Sequence, residues 1–242
     1  MGQPYKIGNA QFSINDHPLA RDYCILLMAK RFASQGDSTV SCNPKAAFPM
    51  ATIIVSLWKH LPEFGETYLA YSFIKSPFLV PYFIPQKEGQ PLEEYLKMLG
   101  YLVDKQEVEQ HEQFLKRLSG IVRLYAATMI TPGCQADGRG HPYGLDHAWR
   151  WITNFVSLEP LPDICATILL EMLNFMGAEL WSVYGKQFTK LLLYIQQDYL
   201  KALSSEDREE GGPKERLTRK LAQMLKEGGI AKPDGMLAKN FW

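Results

Sequence analysis

The chain has 242 residues, enough to bury a sizeable hydrophobic core without disulfides or metal ions. Hydrophobic residues make up 46% of it and charged residues 21%, a balance that excludes a disordered chain. Its 26 basic residues are matched by 26 acidic ones, which argues against nonspecific nucleic-acid binding, because such binding needs an excess of positive charge.

The first helix is predicted from its boundary residues. Asp16 as N-cap and Pro18 at the first helical position begin it, and Gly36 ends it. The side chains that follow at near-helical spacing are Leu19, Tyr23, Leu26, Leu27, Lys30 and Phe32.

Prolines mark the next boundaries. Pro49 opens a helix over 50–60, and Leu61 with Pro62 separates it from a helix over 63–75. Two helices joined by one proline corner indicate an antiparallel helical hairpin. Four prolines within 77–91 predict an extended loop, since proline disfavours a central strand.

The longest central helix is predicted over 109–130, after a short helix over 92–99 that Gly100 closes. Gly120 lies inside it, where glycine costs up to about 1 kcal/mol relative to alanine. A close helix crossing would explain that glycine. The apolar stripe of this helix is Phe114, Leu118, Ile121, Val122, Tyr125 and Met129.

The second half of the chain is also predicted to be helical. A glycine-rich loop over 131–144 precedes helices near 145–157, 162–177 and 179–203. A mobile connection over 204–213, a helix over 214–226 and a tail ending in Phe241 and Trp242 follow. With about nine helices and no convincing strand, we predict an all-α fold of stacked helical hairpins, forming a single domain over 1–242. No apolar run reaches the roughly 18 residues of a membrane helix, so membrane insertion is not expected.

No constellation of catalytic or metal-binding residues is apparent. The five histidines lack ligand spacing, and no phosphate-binding glycine loop occurs, so we predict neither an enzyme nor a metal site. The cysteines are widely spread and predict buried free thiols; they are Cys24, Cys42, Cys134 and Cys165.

Basic residues near helix ends form the most interesting polar set. Stacked hairpins could bring them together as a site for a polyphosphate or an acidic partner. The alternative is a set of separate solvated charges, with lysines placed at helix C-termini to suit the helix dipole. The set comprises Lys30, Arg31, Lys75, Lys116, Arg117 and Arg123.

The segment over 141–151, HPYGLDHAWRW, holds two tryptophans and two histidines. Trp149 and Trp151 cannot share a helix face, because positions i and i+2 point apart. One is expected in the core and the other against a neighbouring helix or a partner. Candidate partner contacts are therefore Trp149 and Trp151, and Arg123 of the basic set is a third candidate.

Five segments resemble the Gle (GLFG-lethal) mRNA-export mediator family of the nuclear pore, in its animal members. They are AFP at 47–49, KSPF at 75–78, YLKMLGY at 95–101, FLKRLSG at 114–120, and the segment over 141–151. The resemblance extends from the first helix to the terminal tryptophan. The chain is similar to the C-terminal domain of that family.

The resemblance implies a HEAT-like fold, similar to the middle domain of a translation-initiation scaffold, without enzymatic activity. It implies that the chain binds a DEAD-box RNA helicase and stimulates its ATPase during mRNA export at the cytoplasmic face of the nuclear pore. Further implied partners are a small FG nucleoporin and translation initiation and termination factors, with no direct nucleic-acid contact. The implied locations are the pore, the nuclear envelope and the cytoplasm.

A cofactor, inositol hexakisphosphate, is implied as well, held between this domain and the helicase. The positions carried over for it are Lys30, Arg31, Lys75, Lys116 and Arg117. The sequence departs from the family pattern at Ile74, where a second basic residue commonly precedes the serine-proline turn. It also lacks the family's N-terminal coiled coil, as expected for a fragment or a short product. A generic α-solenoid scaffold or transport adaptor without helicase contact is the alternative function.

Overall fold

A computed structural model of the chain describes residues 4–13, 16–104, 107–132, 143–203 and 212–236. The N-terminal half comprises the hairpin β1 (Tyr5–Ile7) and β2 (Ala10–Phe12), then α1 (Ala20–Gln35), α2 (Ala47–His60), α3 (Pro62–Lys75), α4 (Leu92–Met98), the hairpin β3 (Val103–Asp104) and β4 (Glu107–Val108), and α5 (His111–Ile130). The C-terminal half comprises α6 (Leu145–Phe155), α7 (Pro162–Tyr184), α8 (Lys186–Tyr194), α9 (Leu200–Ala202) and α10 (Gly212–Glu227).

The all-α class is confirmed. Within the described ranges the strands are limited to two antiparallel hairpins of two or three residues per strand, which the sequence did not reveal. The first helix begins at Ala20 and not at Pro18, and the Asp16 carboxylate instead accepts a hydrogen bond from the Ser13 N–H at 2.6 Å. The second helix begins at Ala47, two residues before Pro49.

The centre of the core is formed by α5 and α7. Every residue of α5 from Leu118 to Ile130 is buried, except Arg123. The predicted apolar stripe is confirmed, with Phe114, Leu118, Ile121 and Tyr125 all buried. One contiguous core runs along the chain from Ile25 to Met224.

The predicted close crossing at Gly120 is confirmed, and its partner is the end of α1. A Cβ atom on Gly120 would lie 2.1 Å from the carbonyl oxygen of Gly36 and 2.5 Å from the amide nitrogen of Ser41. A Cβ on Gly36 would in turn lie 3.0 Å from Cα of Ile121. Two facing glycines therefore let the backbone that directly follows α1 touch the backbone of α5.

Of two helix ends predicted near glycines, the one at Gly36 is confirmed for α1 and the one at 177 is wrong. Gly36 is the C-cap of α1, but its φ and ψ of −57° and −54° are helical, and the chain continues through it as a π-helix, Gly36–Val40. The break predicted between 177 and 179 does not occur, since α7 runs on to Tyr184. A Cβ on Gly177 would lie 2.9 Å from Cδ1 of Ile230, so this glycine also makes room for a neighbour.

The segment after α10 returns to the N-terminal half. Ile230 packs against Gly177, and the Lys45 ammonium lies 3.2 Å from the Asp234 carboxylate. Gly235, with φ of +84°, passes so close to Lys45 that a Cβ would lie 2.7 Å from its carbonyl oxygen. Residues 133–142 of the loop predicted over 131–144, 204–211 of the connection predicted over 204–213, and 237–242 of the predicted tail lie outside the described residues. Gly212 and Pro213, predicted in the connection, begin α10.

By length and composition α7 could cross a membrane, but 72% of its most apolar stretch is buried inside the fold. This is the behaviour of a core helix. Of the cysteines, Cys165 on α7 is buried as predicted, and burial raises the pKa of its thiol to about 12. Cys24 and Cys42 are exposed, contrary to prediction, and Cys134 lies outside the described residues.

The crossing predicts a large effect of one methyl group. Gly120→Ala should lower the free energy of unfolding by about 3 kcal/mol, because the added Cβ meets backbone atoms that cannot rotate away. Urea denaturation measures this change. Gly229→Ala is the control, since a Cβ there has no neighbour within 4 Å. Equal effects of the two substitutions would contradict the crossing.

Candidate functional site

The residues predicted to bind an anion lie on α1, α3 and α5. Ion pairs at both ends show that α1 and α3 run parallel: the Arg21 guanidinium lies 3.2 Å from the Glu63 carboxylate near the helix starts. Near the helix ends, the Lys75 ammonium lies 2.6 Å from the carboxylate of Asp37. Lys75 and Asp37 are both partly buried, with 26% and 17% of their side chains exposed.

Gly100 connects Lys75 to α5. Its φ is +96°, and a Cβ on it would lie 3.1 Å from the carbonyl oxygen of Lys75. The carbonyl oxygen of Gly100 accepts a hydrogen bond of 2.8 Å from Nη2 of Arg117. The structure thus brings two of the predicted residues, Lys75 and Arg117, to the same turn of backbone.

Arg117 is engaged in a two-point ion pair with Glu109. Its Nε donates to Oε1 at 3.0 Å and its Nη2 donates to Oε2 at 2.7 Å. Burial would raise the pKa of Glu109, but the hydrogen bonds from Arg117 and from the Leu102 N–H, with the guanidinium charge, bring it below its usual value. Arg117 therefore anchors the segment between α4 and α5.

The other three predicted anion-binding residues lie on the surface. Lys30, Arg31 and Lys116 are exposed, and no carboxylate of the described residues lies within ion-pair distance of them. Lys116 precedes the Gly120 crossing by about one helical turn. The role of all five residues in anion binding stays a prediction.

The predicted partner contacts have internal partners. Arg123 donates from Nε and Nη2 to both carboxylate oxygens of Glu171 on α7, at 2.8 and 2.7 Å. Trp151 is only 2% exposed, and its indole N–H donates to the Leu79 carbonyl at 2.6 Å. Trp149 is half-buried and stacks on Tyr184 with a centroid separation of 4.5 Å. Their contact with a partner stays a prediction.

Sequence reasoning missed the orientation of α1. The residues of α1 that face the core are Ile25, Ala29 and Ala33, whereas the more apolar stripe faces outward. Leu19 and Tyr23 are 63% and 62% exposed, and Leu26 and Leu27 are also exposed. The sequence shows two apolar stripes on this helix. A helix at the edge of a fold buries only one stripe in the core, so the second stripe was the signal that an apolar face is exposed.

Sequence reasoning also missed the acidic partners, Asp37 and Glu109. Among the residues that the structure describes, no group of three or more histidine, cysteine or carboxylate side chains could hold a metal ion. The candidate groups are exposed apolar and basic side chains, together with the partly buried ion pairs Lys75–Asp37 and Arg117–Glu109.

The described elements define an all-helical domain. The model of a family described as GLE1-like protein matches residues 2–196. The mRNA export factor Gle1 of Drosophila melanogaster is 52% identical over 242 residues, and that of Rattus norvegicus is 36% identical over 245 residues; both alignments cover 100% of this chain. The chain belongs to the GLE1-like family.

The chain spans 36% of the fly relative and 35% of the rat relative. Its fold is similar to a chain in the solved S. cerevisiae structure of the Dbp5 C-terminal domain bound to Gle1 and IP6. The TM-score is 0.81 at 19% identity, over 93% of this chain and 75% of that one. The relatives are named as export factors and not as enzymes.

The Arg123–Glu171 pair gives a test of its internal role. Arg123→Met should lower the free energy of unfolding by about 3–5 kcal/mol, because Glu171 is left buried and unpaired. The double variant Arg123→Met with Glu171→Leu should recover most of that loss. Arg150→Met is the control: its pair with Asp146 is exposed and is expected to contribute below about 1 kcal/mol. A double variant as unstable as the single one would contradict this account.

The Arg117–Glu109 pair predicts a dependence of stability on pH. A lowered carboxyl pKa adds stability above the usual value of 4.5, and that stability is lost as the pH falls through the lowered pKa. Glu109→Gln should therefore cost about 1–3 kcal/mol at pH 7 and progressively less below pH 4.5. Thermal unfolding at pH 7 and at a series of pH values below 4.5 measures it, with Glu66→Gln as an exposed control. A difference that does not change with pH would refute the assignment.

Proposed function

We propose that this chain is the helicase-binding part of an mRNA export factor. It binds a DEAD-box RNA helicase and stimulates its ATPase during export at the cytoplasmic face of the nuclear pore. The observation that supports the proposal is the similarity of its fold to a chain in the solved structure of the Dbp5 C-terminal domain bound to Gle1 and IP6. The family membership of this chain agrees with that similarity. An activator of this kind needs no catalytic group, because it acts by binding one conformation of the helicase more tightly than another.

The helicase surface that we propose is the outer face of α1. This α1 face consists of Leu19, Tyr23, Leu26, Leu27, Lys30 and Arg31, all exposed. Neighbouring exposed apolar side chains are typical of protein interfaces, and tyrosine and arginine are the residue types that most often dominate their binding energy. The α1 face combines both features on one helix.

Inositol hexakisphosphate is proposed as a ligand at the basic end of the α1 face. Lys30, Arg31 and Lys116 fit a polyphosphate by charge and exposure, whereas Lys75 and Arg117 already bind carboxylates. The chain's residues therefore fit this ligand in part. When bound, the ligand supplies phosphate groups that basic residues of both proteins can share.

Further partners and locations are proposed on the family resemblance. They are a small FG nucleoporin, translation initiation and termination factors, and placement at the nuclear envelope and in the cytoplasm. Trp149, which is half-buried against Tyr184, is the proposed contact for one of these partners. Nucleic acid contacts the helicase and not this chain, in keeping with the zero net charge.

The test is the ATPase rate of the export helicase with RNA, with and without this chain. The wild-type chain should raise the rate severalfold. Tyr23→Glu should remove most of that increase, because it places a charge in the α1 face. Tyr194→Glu on α8 is the matched control, since Tyr194 is 45% exposed far along the chain from α1.

A wild-type chain that neither binds the helicase nor changes its rate would favour the alternative, a scaffold or transport adaptor without helicase contact. Equal losses in both tyrosine variants would refute the α1 face and leave helicase binding intact.

A further inference from the structure

Lys75 is the predicted anion-binding lysine that lies between helices, and Asp37 already pairs with it. Its carboxylate accepts a hydrogen bond from Nζ of Lys75 at 2.6 Å, and both side chains are partly buried. Asp37 belongs to the π-helix that follows α1, and Lys75 is the last residue of α3. The Gly36–Gly120 crossing determines where Asp37 lies, because Gly36 is its neighbour in the chain.

We propose that Asp37 sets the affinity of Lys75 for polyphosphates, because its carboxylate is an internal counter-ion for the Lys75 ammonium. This inference rests on the proposed inositol phosphate site. A phosphate group that approaches Lys75 must displace the Asp37 carboxylate or lie beside it, and like charges a few ångströms apart repel. Either way, the positive charge of Lys75 is largely unavailable while Asp37 is ionised.

Arg117 has more hydrogen-bond acceptors than Lys75, so Lys75 is the basic residue whose availability depends on one carboxylate, that of Asp37. Arg117 is held by both oxygens of Glu109 and by the Gly100 carbonyl, and only 12% of its side chain is exposed. Removing Glu109 would disturb the segment before α5. Lys75, by contrast, pairs with a single carboxylate of the described residues, so loss of the Asp37 charge frees its ammonium for a ligand.

The same helix pair offers a matched control. Glu63 pairs with Arg21 at the opposite end of α1 and α3, where Arg21 also lies 3.9 Å from the Asp22 carboxylate. Asp37→Asn and Glu63→Gln each remove one negative charge from the chain. Only Asp37→Asn removes it beside Lys75, so a difference between the two variants reports local charge and not net charge.

The experiment is a calorimetric titration of the purified chain with inositol hexakisphosphate at physiological salt. Asp37→Asn should bind about tenfold more tightly than the wild type, and Glu63→Gln should bind within about twofold of it. Adding Lys75→Gln to Asp37→Asn should remove the gain, because the freed ammonium is then absent.

Several results would overturn the proposal: equal or weaker binding by Asp37→Asn, an equal gain in Glu63→Gln, or no binding by any variant. If Asp37→Asn does not fold by circular dichroism, Asp37→Ser replaces it, since serine also removes the charge. Capture of the helicase without inositol phosphate is measured in parallel. A chain that captures the helicase while failing the titration refutes the role of Asp37 and leaves the helicase proposal standing.

Discussion

The backbone contact between Gly36 and Gly120 is the constraint on which the arrangement of the site depends. With no Cβ on either residue, the end of α1 lies directly on the middle of α5. The chain after α1 then continues as a π-helix, a geometry found in short pieces and often near functional sites. This places Asp37 against the end of α3. One turn before and one turn after the crossing, Arg117 and Arg123 make the ion pairs that attach α5 to the α4–α5 segment and to α7.

Burial explains why so few of the predicted basic residues remain available. A charge removed from water is costly unless it is paired and hydrogen-bonded, so basic side chains near the core acquire carboxylate partners. Lys75, Arg117 and Arg123 follow this rule with Asp37, Glu109 and Glu171. Lys30, Arg31 and Lys116 stay in water, and their charge is what an anionic ligand or an acidic partner would meet first.

The orientation of α1 links the fold to the proposed function. A helix at the edge of a helical stack buries one face, and α1 buries its small residues, Ala29 and Ala33, which allows close packing against α3. Its larger apolar side chains are left outside, beside Lys30 and Arg31. A stable folded domain gains nothing from exposing leucine and tyrosine along one helix, whereas a partner surface gains the apolar area needed for binding.

The sequence by itself determined the helical class, most helix spans to within a few residues, and the buried stripe of α5, because hydrophobic periodicity and proline positions are local properties of the chain. It also determined the family, through segments such as YLKMLGY over 95–101. It could not show that Gly36 and Gly177 allow close approaches, or that helical backbone continues past both of them, because a glycine that ends a helix and a glycine that makes room for a neighbour look alike in a sequence. The tertiary structure decided which stripe of α1 faces outward. It also decided which carboxylate pairs with each of Lys75, Arg117 and Arg123. These contacts join residues from 8 to 48 positions apart, and only the packing of α1, α3, α5 and α7 brings them together.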